Sequence, residues 1–382
     1  MGWRKRLFQA AGPGLTVGAT LGDWTGFLAE NRFRIPPRYW PRALFSTLVS
    51  LISTPLRRAE DLAFGPQFTS QRVAPPLFII GHWRSGTTHL HNLIAVDRRF
   101  AFANLSQIVI PHTFLIAEKL MAAGMALLLP RHRMVDGMAM HAKVPWEEEF
   151  ALCVATSLSP YMTWAFPERA AHYDRYLTFE GVPAREIACW KAAFVKLLQK
   201  LTLKYNRPLI LKSPPNTARI KLILETFPDA RFVHIHRDPR VVYQSTLRLN
   251  QTMWENNALQ RPDPATIHGR VIRQYREMFD AYFRERSLIP EGRLCEVSFA
   301  QLEADPLGLV RKIYRELGLP DFTAVEPALA DYVRSLNGYE KNRHVALPDD
   351  IRAEIEHQWN RSFEEWGYPL DRQAPERRRA AA

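Results

Sequence analysis

Short apolar runs that lead directly into loops mark three places along the chain. They lie at residues 77–80, 209–212 and 230–236. A pattern typical of a helix follows each of them, at residues 87–96, 217–227 and 241–249. Strands that alternate with helices are typical of a parallel sheet. The pattern therefore predicts an α/β fold in which helices flank a central parallel sheet.

Each predicted strand leads into a turn that carries a cation. The three cations are Arg84, Lys212 and Arg237. The carboxyl ends of parallel strands share one edge of the sheet, and ligands of open α/β sheets bind at that edge. We therefore expect the three positive charges to gather there and to hold an anion.

The loop GHWRSG at residues 81–86, followed by Thr87 and Thr88, joins the first predicted strand to its helix. Backbone N–H groups and the positive end of a helix dipole make such a loop a cradle for phosphate or sulfate. The spacing is nearly that of the Walker loop GxxxxGK[ST], but Thr87 stands where that motif has lysine. Arg84 can supply the charge instead. The alternative is a strand-turn-helix corner whose glycines only permit close packing.

Three consecutive carboxylates, Glu147, Glu148 and Glu149, follow Pro145. Proline and acidic residues mark the start of a helix, where carboxylates complement the dipole. The segment continues into FALCVA at residues 150–155, which has the composition of a core. At least one of the carboxylates is therefore expected to face inward. A negative charge beside an anion site is unfavourable, so an inward carboxylate there suggests a functional role.

The first 60 residues mix basic and apolar residues in an unusual way. The apolar run at residues 43–52 is shorter than the ~20 residues that span a bilayer. Arginines and tryptophans flank this run, which favours a helix in the membrane interface; a buried helical subdomain is the alternative. A cleaved signal is disfavoured because GPG at residues 12–14 interrupts the apolar region.

A second apolar stretch, at residues 100–130, has a helical pattern. Glu118 and Lys119 interrupt it, so it also indicates no membrane span. Its methionines and leucines are candidates for lining an apolar acceptor pocket or contacting lipid, and ordinary core packing is the alternative.

Composition and charge narrow the range of partners. A net charge of +12 and a pI near 9.7 favour a nucleotide, an acidic membrane surface or nucleic acid. Nucleic acid is the weakest of these because the sequence has no zinc finger, RNA-binding aromatic signature or long basic block. Three cysteines without a CxxC pair indicate a reducing compartment and argue against disulfides and structural zinc. No ligand cluster suggests another metal.

The segments PLFIIGHWRSGTT and LILKSPPNTARIKLILETFPDARFVHIHRDPRVVYQS resemble the sulfotransferases that use 3'-phosphoadenosine 5'-phosphosulfate (PAPS), particularly their bacterial branch. The resemblance covers residues 76–250. It implies that Arg237 and Ser245 bind the 3'-phosphate and that Lys212 contacts the transferring sulfonate. It also implies that the first loop holds the 5'-phosphosulfate through Arg84, Ser85, Gly86, Thr87 and Thr88.

The chain departs from the cytosolic members of this family after Lys212. Pro214 stands where those enzymes carry their catalytic histidine, so the proton acceptor must lie elsewhere. The acidic cluster before FAL at residues 150–152 is similar to one in bacterial members. It makes Glu147 and Glu149 the candidate bases, with Glu148 less favoured.

Three further observations bear on the site residues. His112, after an apolar run, is the next candidate base. Tyrosylprotein sulfotransferases use a glutamate, but the corresponding residues 103–107 contain no acid here. Arg343, in KNRH at residues 341–344, resembles a late segment of bacterial members and is a candidate for nucleotide binding; a solvated loop is the alternative.

The sequence therefore predicts three parts. They are a basic, apolar helical extension at residues 1–72 with membrane contact, a sulfotransferase domain with a P-loop-like phosphosulfate-binding loop at 73–371, and a disordered basic tail at 372–382. The predicted reaction is in-line transfer of a sulfuryl group from PAPS to a hydroxyl, without a metal. The apolar segments favour a lipid, sterol or glycolipid acceptor.

The predicted location is cytoplasmic and peripheral, at the inner face of the membrane. Two other classes of protein stay open. A P-loop-like nucleotide kinase would prefer ATP to PAPS, and a non-catalytic membrane-associated binding protein would bind lipid but no nucleotide.

Overall fold

The computed structural model describes residues 14–128, 140–336 and 346–370. Within them, one sheet of four parallel strands has the order β2-β1-β3-β4. The strands are β1 (Leu77–Ile80), β2 (Ile210–Lys212), β3 (Arg231–His236) and β4 (Leu294–Ser298). Ile79 lies opposite Lys212, and Ile80 lies opposite His234. All four carboxyl ends therefore meet at one edge.

The strands are apolar on both sides because both faces of the sheet are covered. Phe78 and Ile80 pack into one core cluster, whereas Leu77 and Ile79 pack into another. None of the four is more than 2% exposed. Burial on both faces explains why β1 is a continuous apolar run rather than an alternating one.

Helices provide this cover. In chain order they are α1 (Leu21–Glu30), α2 (Trp40–Thr69), α3 (Thr87–Ile94), α4 (Leu105–Val109), α5 (Phe114–Leu128), α6 (Glu148–Thr156), α7 (Met162–Ala165), α8 (Ala170–Asp174), α9 (Ala184–Tyr205), α10 (Ile220–Thr226), α11 (Pro239–Asn257), α12 (Ile267–Glu285), α13 (Phe299–Ala304), α14 (Pro306–Glu316), α15 (Glu326–Ser335), α16 (Asp349–Gln358) and α17 (Asn360–Trp366). Short 3-10 helices lie at Pro37–Tyr39, Pro167–Arg169, Pro214–Ala218, Pro264–Thr266, Arg286–Leu288 and Phe322–Ala324.

The two layers differ in size. Helices α3, α14 and α15 form the smaller layer and bury Leu90, Ile313 and Leu329 against one face of the sheet. The larger layer includes helices from both ends of the chain, with Trp24 of α1 and Phe363 of α17 in its core. The predicted α/β fold, with its parallel sheet and helical N-terminal region, is confirmed.

Two features differ in detail from the sequence analysis. Strand β4 was not predicted, and it lies beside β3. Helix α2 includes the apolar run predicted at residues 43–52 but continues through Pro55 and Pro66 to Thr69. In the part of the chain that the structure describes, no helix is both long and apolar enough to cross a bilayer.

Candidate active site

Two glycines shape the loop between β1 and α3. Gly81 has a φ of +144°, and a Cβ atom there would lie 2.3 Å from the Ile235 carbonyl oxygen. Gly86 has a φ of +103°, and a Cβ atom there would lie 2.3 Å from the Phe299 ring. Gly86 is also the N-cap of α3, and no described side chain caps this helix. The loop therefore packs closely and also offers the first N–H groups of α3 to an anion.

The three cations at the ends of the strands converge on this loop. Lys212 reaches from β2 to α3, where its Nζ lies 3.3 Å from Thr88 Oγ1. The Arg84 Nε donates to Ser245 Oγ at 2.8 Å, and Arg237 Nη1 donates to the Arg84 carbonyl at 3.4 Å. Residues that are far apart in the sequence thus bring positive charge to one edge of the sheet, as the strand pattern predicted.

The other residues of the predicted loop have distinct places. Ser85 is buried and donates its hydroxyl to the His82 carbonyl at 2.7 Å, which holds the turn together. Thr87 begins α3 and lines a cavity beside the loop. The lysine that a Walker loop carries at this position is absent here, and Lys212 of the neighbouring strand brings its ammonium group to 3.3 Å from the Thr88 hydroxyl.

Arg237, Ser245 and Arg84 form a cluster beside the loop. The Arg237 guanidinium lies 4.0 Å from the centre of the Phe299 ring. Burial lowers the pKa of Arg237; the charge of Glu303 opposes this shift, and the nearby charge of Arg84 adds to it. Among the described residues, no carboxylate lies within ion-pair distance of Arg237. An anion bound here would offset the repulsion, and two guanidinium groups with a hydroxyl suit a phosphate.

Glu147 is the carboxylate that faces the cavity. It stands immediately before α6, and its Oε1 accepts from Lys212 Nζ at 2.5 Å. Its Oε2 accepts a hydrogen bond from the Tyr161 hydroxyl, which in turn accepts from Trp83 Nε1 at 3.1 Å. Burial and the charge of Glu147 raise the pKa of Tyr161 well above its usual value, so the phenol stays a donor. Glu147 is therefore held by two donors at the place where the cationic edge meets the cavity.

The next two carboxylates point into the protein. Glu148 accepts from the backbone N–H of Lys212 at 3.0 Å and from Asn216 Nδ2 at 2.6 Å. Burial raises its pKa to about 7. Glu149 forms a bidentate pair with the fully buried Arg219, at 2.7 and 3.0 Å, and accepts from Ser159 at 2.6 Å. Neither lines the cavity, so the geometry separates the two candidate bases and favours Glu147 over Glu149.

The cavity has a volume of about 220 Å³. Its lining includes a polar and charged group made of Arg84, Thr87, Thr88, Glu147 and Lys212. Most of the other lining side chains are apolar, including Trp83, Ile108, Trp146, Phe150, Trp164 and Met253. Such a cavity suits a ligand with an apolar body and one reactive polar end.

Two other predicted candidates are placed elsewhere. The His112 Nε2 lies 3.0 Å from Asp23 Oδ2, and His112 is not among the residues that line the cavity. Burial lowers its pKa. Arg343 and the predicted tail at residues 372–382 lie outside the described residues. In the described ranges, no group of three or more His, Cys, Asp or Glu side chains is placed to hold a metal ion.

Sequence reasoning missed Tyr161, Phe299 and Arg219. Tyr161 lies in an aromatic-rich stretch without a periodic pattern, and its role depends on contact with Glu147. Phe299 follows β4, the strand that was not predicted. Arg219 comes soon after Lys212, and the one available signal was an arginine in a segment of core-like composition.

Comparisons with known proteins identify the family to which the chain is similar. The model of the "Sulfotransferase family" matches residues 75–324. Omega-hydroxy-beta-dihydromenaquinone-9 sulfotransferase Stf3 of Mycobacterium tuberculosis is 35% identical over 363 residues, which are 95% of this chain and 92% of that protein. The protein of the same name from Mycobacterium bovis matches to the same extent.

Two crystal structures share the fold. Sulfotransferase STF1 from Mycobacterium tuberculosis has a TM-score of 0.66 at 19% identity, over 89% of this chain and 91% of that chain. Sulfotransferase STF9 from Mycobacterium avium has a TM-score of 0.68 at 18% identity, over 93% of this chain and 98% of that chain. The family match covers more than half of the chain and the Stf3 match nearly all of it, which confirms the predicted family and sulfuryl transfer. The chain belongs to the sulfotransferase family.

Proposed function

We propose that this sulfotransferase takes its sulfuryl group from PAPS and transfers it to the hydroxyl of a lipid-like acceptor. The observation that carries the proposal is the position of Glu147 and Lys212. Their ion pair stands where a cationic, helix-capped edge meets an apolar cavity. The anionic sulfuryl donor and an apolar acceptor would therefore come together beside the Glu147 carboxylate.

Two anion-binding places suit the two phosphate groups of PAPS. The loop at residues 81–88, with Lys212, would hold the 5'-phosphosulfate. Arg237, Ser245 and Arg84 would hold the 3'-phosphate. We retain Arg84, Ser85, Gly86, Thr87 and Thr88 as donor-binding residues, and Arg343 as a further candidate. ATP has no 3'-phosphate, so a cationic cluster beside the loop that could hold a second phosphate favours PAPS over ATP.

The acceptor class follows from the cavity and is supported by the relatives. Stf3 is named for a hydroxylated dihydromenaquinone, a molecule with a long apolar chain. The apolar lining here suits an acceptor of that general kind, whether a lipid, a sterol or a glycolipid. All three cysteines are free, which fits a protein of the reducing cytoplasm. We place it there, at the membrane surface.

The reaction would be an in-line displacement at sulfur. Glu147 would take the proton of the acceptor hydroxyl as the oxygen–sulfur bond forms. Lys212 and the N–H groups at the start of α3 would neutralise the charge that gathers on the departing phosphate oxygen. Removal of one such preorganised donor costs about 3 kcal/mol of transition-state stabilisation. Tyr161 would hold the Glu147 carboxylate in place.

Thermal unfolding with 3'-phosphoadenosine 5'-phosphate (PAP) or ATP tests the donor. We expect PAP to raise the Tm of the wild type more than ATP does. Arg84→Ala and Arg237→Ala should each lose most of this rise. Arg248→Ala is the matched control, because Arg248 is exposed on the same helix as Ser245. Equal or greater stabilisation by ATP would refute the PAPS assignment and favour a nucleotide kinase.

Glu147→Gln tests the base. The amide keeps the size of the side chain but cannot take a proton, so kcat should fall by ~10²- to 10⁴-fold. PAP should still stabilise this variant, because the residues proposed to bind the nucleotide are unchanged. Glu168→Gln, at an exposed carboxylate outside the cavity, is the control. Full activity of Glu147→Gln would exclude Glu147 as the base.

A further inference from the structure

Helix α2 (Trp40–Thr69) buries a polar face and exposes an apolar one, the opposite of a normal surface helix. Its inner face is polar: Arg42, Ser46, Ser50, Ser53 and Glu60 are all buried. Its outer face is apolar and consists of Trp40, Leu44, Leu48, Leu51, Ile52 and Leu62, each at least 50% exposed. A helix of a soluble protein normally buries its apolar stripe.

Specific polar contacts fix this orientation. The Arg42 Nη1 donates to the Ala258 carbonyl at 2.5 Å, and Ser46 Oγ lies 2.9 Å from Thr16 Oγ1. At the other end, Glu60 Oε2 accepts from the backbone N–H of Leu115 at 2.7 Å.

Glu60 also pairs with Lys200, both almost fully buried, at 2.5 Å. Rotation of α2 to bury its leucines would leave these polar groups without partners, at a high cost. The apolar outer face is therefore part of the folded state.

The charges around this face are complementary to an anionic surface. Between Glu30 and Glu60 the sequence contains six arginines and no acidic residue. Arg32, Arg34 and Arg38 are exposed just before α2, and Arg58 is exposed within it. Arginines beside an apolar strip that begins with tryptophan are typical of helices in the interface of anionic membranes.

We propose that the outer face of α2 docks onto an anionic lipid bilayer, with the helix parallel to the membrane plane. The inner face of α2 lies behind the cavity wall, because Arg42 lies next to Gly14: a Cβ atom on that glycine would be 3.1 Å from Arg42 Cδ, and Gly14 lines the cavity. The next residue, Leu15, donates its N–H to Asn257, and both of these residues also line the cavity. One helix diameter, about 10 Å, would separate the bilayer from that wall. This proposal rests on the proposed function, since docking would bring the cavity close to an acceptor held in the membrane.

Vesicle flotation tests the docking face. The full chain is mixed with vesicles of phosphatidylcholine alone, or of phosphatidylcholine and phosphatidylglycerol in equal parts. The test variant is Leu44→Gln/Leu48→Gln/Ile52→Gln, which makes the outer face polar without touching the inner one. The control is Leu288→Gln, at a leucine that is also 50% exposed but lies outside α2.

The wild type and Leu288→Gln should float with the anionic vesicles, and the triple variant should lose about tenfold or more in partitioning. Failure of the wild type to bind, or equal binding by the triple variant, would overturn the proposal. The proposal would also be overturned if the wild type is a dimer and the triple variant is a monomer, because a second copy of the chain would then cover the outer face of α2.

PAP stabilisation, measured on the same proteins, separates this proposal from the function. Unchanged stabilisation in the triple variant shows that it is folded. If PAP stabilises the wild type but the wild type does not bind vesicles, the docking proposal is overturned and the proposed donor is not. Vesicle binding by a wild type that PAP fails to stabilise would support docking and overturn the assignment of the donor.

Discussion

Glu147 lies in extended backbone just before α6, whereas Glu148 and Glu149 are in its first turn and point about 100° apart, so three adjacent carboxylates meet three environments. Glu147 reaches the cavity, Glu148 meets a backbone N–H of β2, and Glu149 meets Arg219. The sequence predicted an inward carboxylate at this helix start. It did not indicate which one, because the choice depends on partners more than 60 residues away in the chain.

The raised pKa of Glu148 has a consequence for stability. Its carboxyl group keeps a proton up to about pH 7 in the folded chain, whereas in the unfolded chain it loses the proton near its ordinary pKa of 4.5. Between these values the folded state binds more protons, so Glu148 makes the wild type less stable as pH rises. Glu148→Gln removes this titration.

We therefore expect the unfolding free energy of the wild type, relative to Glu148→Gln, to fall by roughly 3 kcal/mol between about pH 5 and pH 8. Urea denaturation of both proteins across this range measures the difference. Glu168→Gln, at an exposed site, should give a constant difference from the wild type. A constant difference for Glu148→Gln as well would show that its carboxyl group titrates normally.

At the level of elements, the strand-loop-helix unit at residues 77–94 was predictable because its signals are local. A buried apolar run, two glycines and a helical pattern follow one another directly. Strand β4 lacks such signals, since its five residues LCEVS carry the charged Glu296 in the middle and no glycine loop follows them. The sequence analysis identified only the apolar run at residues 43–52 of helix α2, because an apolar pattern does not reveal the buried contacts of Glu60 and Phe68 in its second half.

The glycine at the junction between loop and helix gives a prediction for this unit. Gly86→Ala would place a Cβ atom against Phe299 in a backbone region that alanine avoids. We expect the unfolding free energy to fall by roughly 2–3 kcal/mol and PAP stabilisation to be lost.

Gly269→Ala provides the matched control for Gly86→Ala. Gly269 is exposed within α12, its φ is ordinary, and a Cβ atom there would meet nothing within 4 Å. This substitution should leave the Tm unchanged or raise it slightly. Thermal unfolding with and without PAP compares the two variants. An unaltered Tm and PAP response in Gly86→Ala would mean that the loop does not need glycine.

On the scale of the whole molecule, the N-terminal helices share the core of the sheet domain. Trp24 and Phe27 of α1 belong to the same buried cluster as Phe78 of β1 and Phe232 of β3. The sequence predicted a helical extension here, because a pattern of basic and apolar residues does not reveal what a helix packs against.

Truncation at the predicted boundary tests how far the sheet domain depends on these helices. We expect residues 73–382 alone to aggregate or to unfold without a cooperative transition, because the cut exposes the cluster around Phe78. Circular dichroism during heating measures this. A cooperative transition that PAP shifts upward would show instead that the sheet domain folds independently.

The reversed face of α2 also bears on how the protein behaves in water. A strip of exposed leucines promotes self-association, and the net charge of +12 opposes it through repulsion between molecules. Salt screens this repulsion, with a Debye length of about 8 Å at physiological ionic strength and about 3 Å at 1 M. Raising the salt concentration during purification should therefore precipitate the protein, and a mild detergent should keep it dispersed.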